Sequence, residues 1–265
     1  MKIIVSHDVD HLYSCDHWFR DLFFPKLWIR ESLNLLKNRI TAKEWFSRCT
    51  SCFSKKINYI PELLEFDLKN GVPSTFFFGM SQGLGMSYRP EEAREMIQFV
   101  RNHGFSVGVH GICYDSQQGI QKEKNTFKEL MGFEPDGIRM HYVRFNENTF
   151  RYLDEAGYGF DSTEFDKTIG CSILDPYLIE KMWEFPVCVM DTYLPYNFEE
   201  AKHITLQRLK DAETKGCQWF TVLMHDVNYC DAYDAYKKWY EWFIHYCAEQ
   251  GFEMKSFIDA INELG

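Results

Sequence analysis

The sequence predicts an α/β fold in which helices alternate with parallel strands that wind into a sheet or barrel. Short apolar runs alternate with longer amphipathic stretches, and a glycine closes most of these stretches shortly before the next run. Strand, helix, glycine, strand is the repeat of parallel βα units. Several of the apolar runs lack polar alternation, as strands covered by helices on both faces require. With 265 residues, 45% hydrophobic and 17% aromatic, the chain can fill one large core, and α/β barrels of this size form one unit. A single domain over residues 1–265 is the expectation.

The elements follow in order. Lys2–Ser6 (KIIVS) is the first strand. Residues 12–56 then break the rhythm with an aromatic, basic segment containing a helix over Lys26–Asn38. Placed after the first strand, this segment lies over the sheet end where active sites form. It is either a helical insertion packed on the core or a lid and substrate-binding wall. Pro61–Asn70 reads as a helix stopped by Gly71, and Ser74–Phe78 (STFFF) as the next strand. Pro90–His103 opens on Pro-Glu-Glu, which suits a helix N-terminus, and ends at Gly104 before the strand Ser106–Val109. Gly137–Met140 is a strand, Asn146–Ala156 a helix ending at Gly157, and Tyr158–Phe160 a strand. Trp183–Val189 is a strand, Glu199–Lys215 a helix closed by Gly216, and Trp219–Met224 a strand. Further on, Tyr236, Trp239, Tyr240, Phe243 and Cys247 recur at helical spacing and are read as core; Trp242 and Tyr233 fall off that stripe and could face a partner or a sugar. The glycines of Gln82–Met86 lack the spacing of a dinucleotide loop and are read as a turn.

A net charge of −10 argues against a nucleic-acid partner, because neutralising phosphates needs a basic surface. MKIIVSHDVDH enters a strand directly, without the apolar stretch and cleavage site of a signal peptide. No run approaches the roughly 18 apolar residues of a membrane span, so a cytoplasmic location is expected. Nine cysteines without framework spacing are read as reduced and mostly buried. Cys49 and Cys52 form a lone C-x-x-C that lacks the second pair of a structural zinc site.

The functional signal is positional. Asp8 and Asp10 follow the first strand, His110 follows SVGV, Arg139 and His141 lie at the end of GIRM, Asp161 follows YGF, and His225 follows FTVLM. In a parallel fold the strand C-termini share one face, so these residues converge there. A single aspartate after a strand is an ordinary turn or cap residue, but capping alone does not explain so many strands ending this way. Paired carboxylates two residues apart can divide metal binding and base catalysis. Neutral imidazole is a common metal ligand, and a buried histidine beside a carboxylate can serve as an acid.

These residues also fall in motifs that resemble the polysaccharide deacetylase superfamily, carbohydrate esterase family 4, whose fold is a deformed (β/α) barrel. Ser6-His-Asp-Val-Asp10 resembles the first motif, Val109-His-Gly-Ile-Cys-Tyr114 the second, Arg139-Met-His-Tyr142 the third, Asp161-Ser-Thr163 the fourth and Leu223-Met-His225 the fifth. The resemblance implies Asp8 as general base, Asp10 and His110 as ligands of a divalent metal, zinc first among them, and Arg139 as the group orienting Asp8. It implies Asp161 as the residue orienting His225, His225 as the acid for the leaving group, and the backbone near Tyr142 as an oxyanion donor. The sequence departs from the family where a second histidine belongs, four residues after His110, and has Tyr114 instead. A third ligand is therefore sought among Asp115, His11 and His141. The implied activity is metal-dependent removal of an acetyl group from an acetylated amino sugar or oligosaccharide, through an amide or an ester, in surface-polysaccharide biosynthesis. The alternatives are an amidohydrolase acting on a small nitrogenous compound and a non-catalytic carbohydrate-binding relative.

Overall fold

The computed structural model describes residues 1–13, 23–53 and 57–265. It shows a curled, mostly parallel sheet wrapped by helices, the deformed (β/α) barrel expected from the sequence. Strands β1 (Lys2–Val9), β2 (Thr75–Gly79), β3 (Ser106–Gly111), β4 (Ile138–Met140) and β5 (Phe160–Asp161) follow one another in space as in sequence. On the other side of β1 lie β9 (Trp219–Leu223) and then β8 (Val187–Met190), while β10 (Glu253–Lys255) pairs with the start of β1. β6 (Tyr177–Ile179) and β7 (Met182–Glu184) form an antiparallel hairpin beyond β5.

The expected strand Trp183–Val189 is two strands, and Pro186 lies between them. Proline has no N–H to give to a ladder. Its N-terminal half, β7, pairs with β5, and its C-terminal half, β8, pairs with β9 at the far edge of the sheet. The gap between these edges is bridged by the Val187 N–H to Glu164 O and the Ser172 N–H to Val187 O, both 2.9 Å.

The outer helices are α3 (Ile60–Lys69), α4 (Pro90–Asn102), α5 (Gln117–Met131), α6 (Thr149–Glu155), α7 (Phe198–Lys215) and α8 (Asp234–Glu249). On α8, Trp239, Tyr240, Phe243 and Cys247 are buried as their spacing implies. The last helix, α9 (Phe257–Leu264), belongs to a separate interior cluster: Phe257 packs with Ile4, Phe77, Phe160, Phe185 and Trp219. Ile4, Ser6 and Asp8 are alternate residues of β1 and so share one face of it. This aromatic cluster therefore lies on the face that carries Asp8.

His7 points the other way, into a buried polar knot. Its Nε2 is 2.9 Å from Asp67 Oδ2 on α3, and its Nδ1 is 3.0 Å from Met224 O. Asp67 also accepts from Ser74 Oγ and Tyr240 OH. The knot ties β1, α3 and α8 together directly behind Asp8.

The insertion forms two helices, α1 (Phe23–Leu36), which begins before the expected Lys26, and α2 (Ala42–Thr50). A capping box starts α2: Thr41 Oγ1 accepts from the Glu44 N–H, and the Glu44 carboxylate accepts from the Thr41 N–H. Arg48 on α2 reaches Glu31 on α1 at 2.6 Å, and Trp45 Nε1 donates to Ser32 Oγ. Asn58 Nδ2 donates to Leu12 O at 2.8 Å, fastening the base of the insertion. Cys49 is a free thiol; the Cys52 half of the C-x-x-C lies outside the described side chains. Among the described residues, no helix is long and apolar enough to cross a membrane.

Candidate active site and metal centre

The C-terminal ends of β1, β4, β8 and β9 meet at the floor of a cavity of about 980 Å³, with the end of β3 packed against them. Its lining includes Asp8, Asp10, His141, Tyr142 and His225, together with α1 and α2 residues of the insertion. Two buried hydrogen bonds tie the end of β1 to the neighbouring end of β2: Tyr88 OH donates to Val9 O at 2.7 Å while accepting from the Gly79 N–H at 2.6 Å.

Asp10, His110 and His141 offer ligand atoms that lie within 4.8 Å of one another. His110 Nε2 and His141 Nδ1 are 3.0 Å apart, and each is 3.2 Å from Asp10 Oδ1. The opposite nitrogen of each ring faces a backbone carbonyl, His110 Nδ1 at 3.0 Å from Arg139 O and His141 Nε2 at 3.0 Å from Leu84 O. A carbonyl accepts only, so those nitrogens carry protons, and whenever the rings are neutral both remaining lone pairs turn toward Asp10. Atoms coordinating one small divalent cation at about 2.0–2.2 Å stand roughly this far apart, and histidine ligands are oriented in this way by second partners. The donor set therefore fits a metal ion.

Of the three expected candidates for the third ligand, His141 is the one that joins Asp10 and His110. Asp115 is exposed near the start of α5, and His11 lines the cavity outside the cluster. Tyr114 is engaged elsewhere, with the Arg144 guanidinium 4.5 Å over its ring. The histidine missing from the turn after β3 is thus replaced by one from the end of β4. His141 begins a turn in which Tyr142 and Val143 both have positive φ, 58° and 45°. Side chains rarely adopt this backbone, least of all a β-branched one.

Asp8 is buried beside this cluster. Arg139 Nη1 donates to Asp8 Oδ1 at 3.0 Å and to Ser6 Oγ at 2.8 Å, and His110 Nε2 is 3.6 Å from Asp8 Oδ2. Burial pushes the Asp8 carboxyl up, but the charges of His110, Arg139 and His225 outweigh it and hold it below the usual carboxylate range. Arg139 is itself fixed by the Ser162 carbonyl and hydroxyl and lies 4.7 Å over the Phe77 ring.

His225 faces Asp10 across the pocket at 4.0 Å. Here the structure corrects the sequence reading. Asp191, at the end of β8, holds His225: its Oδ1 lies 2.7 Å from His225 Nδ1, and its Oδ2 accepts from the His225 N–H and from Asn228 Nδ2. Burial works against the charged imidazole, yet Asp191, with Asp10 and Asp8 behind it, raises His225 to about 10. Asp161 does not take this role. It lies on β5, across the sheet from β9, where it accepts from Thr163 Oγ1 and stands beside Glu184. Burial, and for Glu184 the neighbouring Asp161 charge, pushes both of these carboxyls up, so the pair favours sharing a proton. Asp161 thus supports the β4–β5 layer beneath Arg139. Asp191 was missed, although it follows an apolar run (FPVCVM) as the other site residues do.

No protein-family model matches the sequence, and no curated protein matches it. Solved structures do resemble it in fold. A protein from Mycobacterium smegmatis assigned as a polysaccharide deacetylase superposes with a TM-score of 0.62 at 17% identity, over 99% of this chain and 89% of that one. The peptidoglycan N-acetylglucosamine deacetylase Bc1960 gives 0.52 at 13% identity, over 97% and 86%. A pseudoenzyme of carbohydrate esterase family 4, in a mutant form with restored enzymatic activity, gives 0.52 at 13% identity, over 98% and 67%. The fold is that of the polysaccharide deacetylases.

Proposed function

We propose that this chain is a metal-dependent hydrolase that removes an acetyl group from an acetylated amino sugar. The observation that carries the reading is one pocket holding an ionised, buried Asp8 beside a three-donor metal cluster, with the Asp191–His225 pair opposite. Asp10, His110 and His141 would hold the ion, zinc in the first instance given two nitrogens and one oxygen. When bound, the ion supplies Lewis acidity toward water and the acetyl carbonyl.

The protein groups divide the remaining work. Asp8, kept ionised and oriented by Arg139, accepts a proton from the attacking water. His225, kept protonated by Asp191, donates one to the departing amine or alkoxide. Tyr142, at the cavity floor beside His141, brings backbone close to the developing oxyanion. The polar pocket, with its insertion wall, favours a sugar over a small apolar amide. The test is acetate release from N-acetylated and O-acetylated amino sugars by protein reconstituted with zinc, then stripped by chelator and restored. Metal-dependent release supports the reading, and its preference for amide or ester sets the bond cleaved. Absence of release from every acetylated sugar, with metal bound, would overturn it.

A further inference from the structure

The insertion that walls the cavity has a charge opposite to that of the chain. Residues 12–56 carry nine Lys and Arg against four Asp and Glu, whereas the whole chain carries 29 against 39. Besides the residues of the metal cluster and the Asp8–His225 region, the cavity lining includes Arg30, Arg39, Arg48 and Lys167, with Glu31 and Glu200. Glu31 is already engaged by both Arg30, at 2.7 Å, and Arg48, at 2.6 Å. Arg39 and Lys167 make no ion pair among the described residues. Lys167 has Arg144 as a charged neighbour, and burial together with that like charge pushes its pKa down.

Arg48 is built in rather than placed on the surface. It is 3% exposed, and its guanidinium lies 4.2 Å from the Tyr196 ring and 4.3 Å from the Tyr233 ring. Its Nε donates to Ala232 O and its Nη1 to Glu31, while Nη2 has no hydrogen-bond partner among the described residues. A buried guanidinium nitrogen left without an acceptor costs free energy unless a ligand supplies one. The cavity, at about 980 Å³, is at the upper end of the range for small-molecule sites and leaves room beyond one sugar ring.

We propose that this cationic lining binds a phosphoryl group of the substrate, so that the acetylated sugar is presented as a phosphate or diphosphate ester. Arg39 and Lys167 are the exposed ligands, Arg30 is an exposed cation already paired with Glu31, and Arg48 is the buried, fixed guanidinium of the set. The excess of two cations over carboxylates matches a doubly charged phosphoryl group better than a singly charged carboxylate. Guanidinium forks suit phosphate oxygens. The inference rests on the deacetylase reading for the sugar but not for the anion.

The experiment is calorimetric titration of metal-free protein with inorganic pyrophosphate and, separately, with glucuronate, on wild type and an Arg39→Ala/Lys167→Ala double variant. Both replaced side chains are exposed, so the variant keeps its fold. Saturable pyrophosphate binding is expected, weaker by about tenfold or more in the double variant and weakened further by salt. Glucuronate is expected to bind much more weakly. No pyrophosphate binding, equal binding by the variant, or glucuronate binding as tightly as pyrophosphate would each overturn the assignment. Because neither metal nor turnover enters the measurement, its failure is distinct from failure of the deacetylase reading.

Discussion

Replacing Asp191 with Asn tests whether the His225 pair is functional machinery. Asp191 is fully buried and accepts four hydrogen bonds, from His225 Nδ1, the His225 N–H, the Thr192 N–H and Asn228 Nδ2. An asparagine has one oxygen for these four donors, so at least one buried donor is left facing an amide NH₂. The carboxylate charge is lost as well. His225 stands at about 10 against an ordinary 6.5, a preference for the imidazolium of about 5 kcal/mol. Asp191 is the largest favourable contributor to it. A divalent ion on Asp10 offsets part of this, so the alkaline limb of activity in the holoenzyme lies below pH 10, and Asp191→Asn moves it lower still. The turnover number should fall by about 10²–10⁴.

The stability effect has a definite sign. A raised folded-state pKa means that His225 contributes its stabilisation fully below about pH 6.5 and loses it as pH rises through about 10. The wild type's advantage over the variant is therefore greatest at neutral pH and below. Imidazole ¹⁵N chemical shifts of His225, followed against pH in metal-free protein, report the titration directly. A midpoint that does not fall in Asp191→Asn, or near-full turnover with an accepted substrate, would refute the reasoning.

Asp8→Asn should lower turnover by about 10²–10⁴ with the thermal transition retained, as acetate release and calorimetry will show. His141→Ala should weaken zinc binding about as much as His110→Ala does, by about tenfold or more; unchanged affinity in a competition titration would remove His141 from the ligand set. His7→Ala should cost about 3–5 kcal/mol in chemical denaturation, because it leaves Asp67 buried beside an empty position. A loss under about 1 kcal/mol would mean that the knot behind β1 relaxes.

Most of the floor of the site was legible because a parallel fold turns chain order into a spatial rule. Asp8, Asp10, His110, Arg139 and His225 all lie at the ends of apolar runs; Asp8, Asp10 and His225 line one cavity, and His110 and Arg139 contact its aspartates from beneath the surface. What the sequence hid was adjacency. Asp161 and Asp191 obey the same rule, and only the sheet order, with β8 beside β9 and β5 across the sheet, decides which of them meets His225. The sequence blurred that order at Pro186, where one apolar run supplies two strands to opposite edges. The short strands β6 and β10 also escaped notice, being three residues each and largely outside the core. Tyr233, read from the sequence as off the helical stripe and able to face a partner or a sugar, lies on the cavity wall against Arg48.

Strand β1 joins the two ends of the chain, with a consequence for the order in which the pocket can assemble during synthesis. Its residues pair on one side with β2 and on the other with β9, Lys2 opposite Trp219, and its first residues also meet β10. A nascent chain can assemble β1 to β4, and with them Asp10, His110 and His141, long before the ribosome reaches His225. The half of the pocket proposed to hold an ion can therefore close first, and His225, the proposed proton donor, waits for a strand from the far end of the chain. Pairings of such sequence separation are slow to form. A metal acquired early would then tether the growing barrel while its last strands dock.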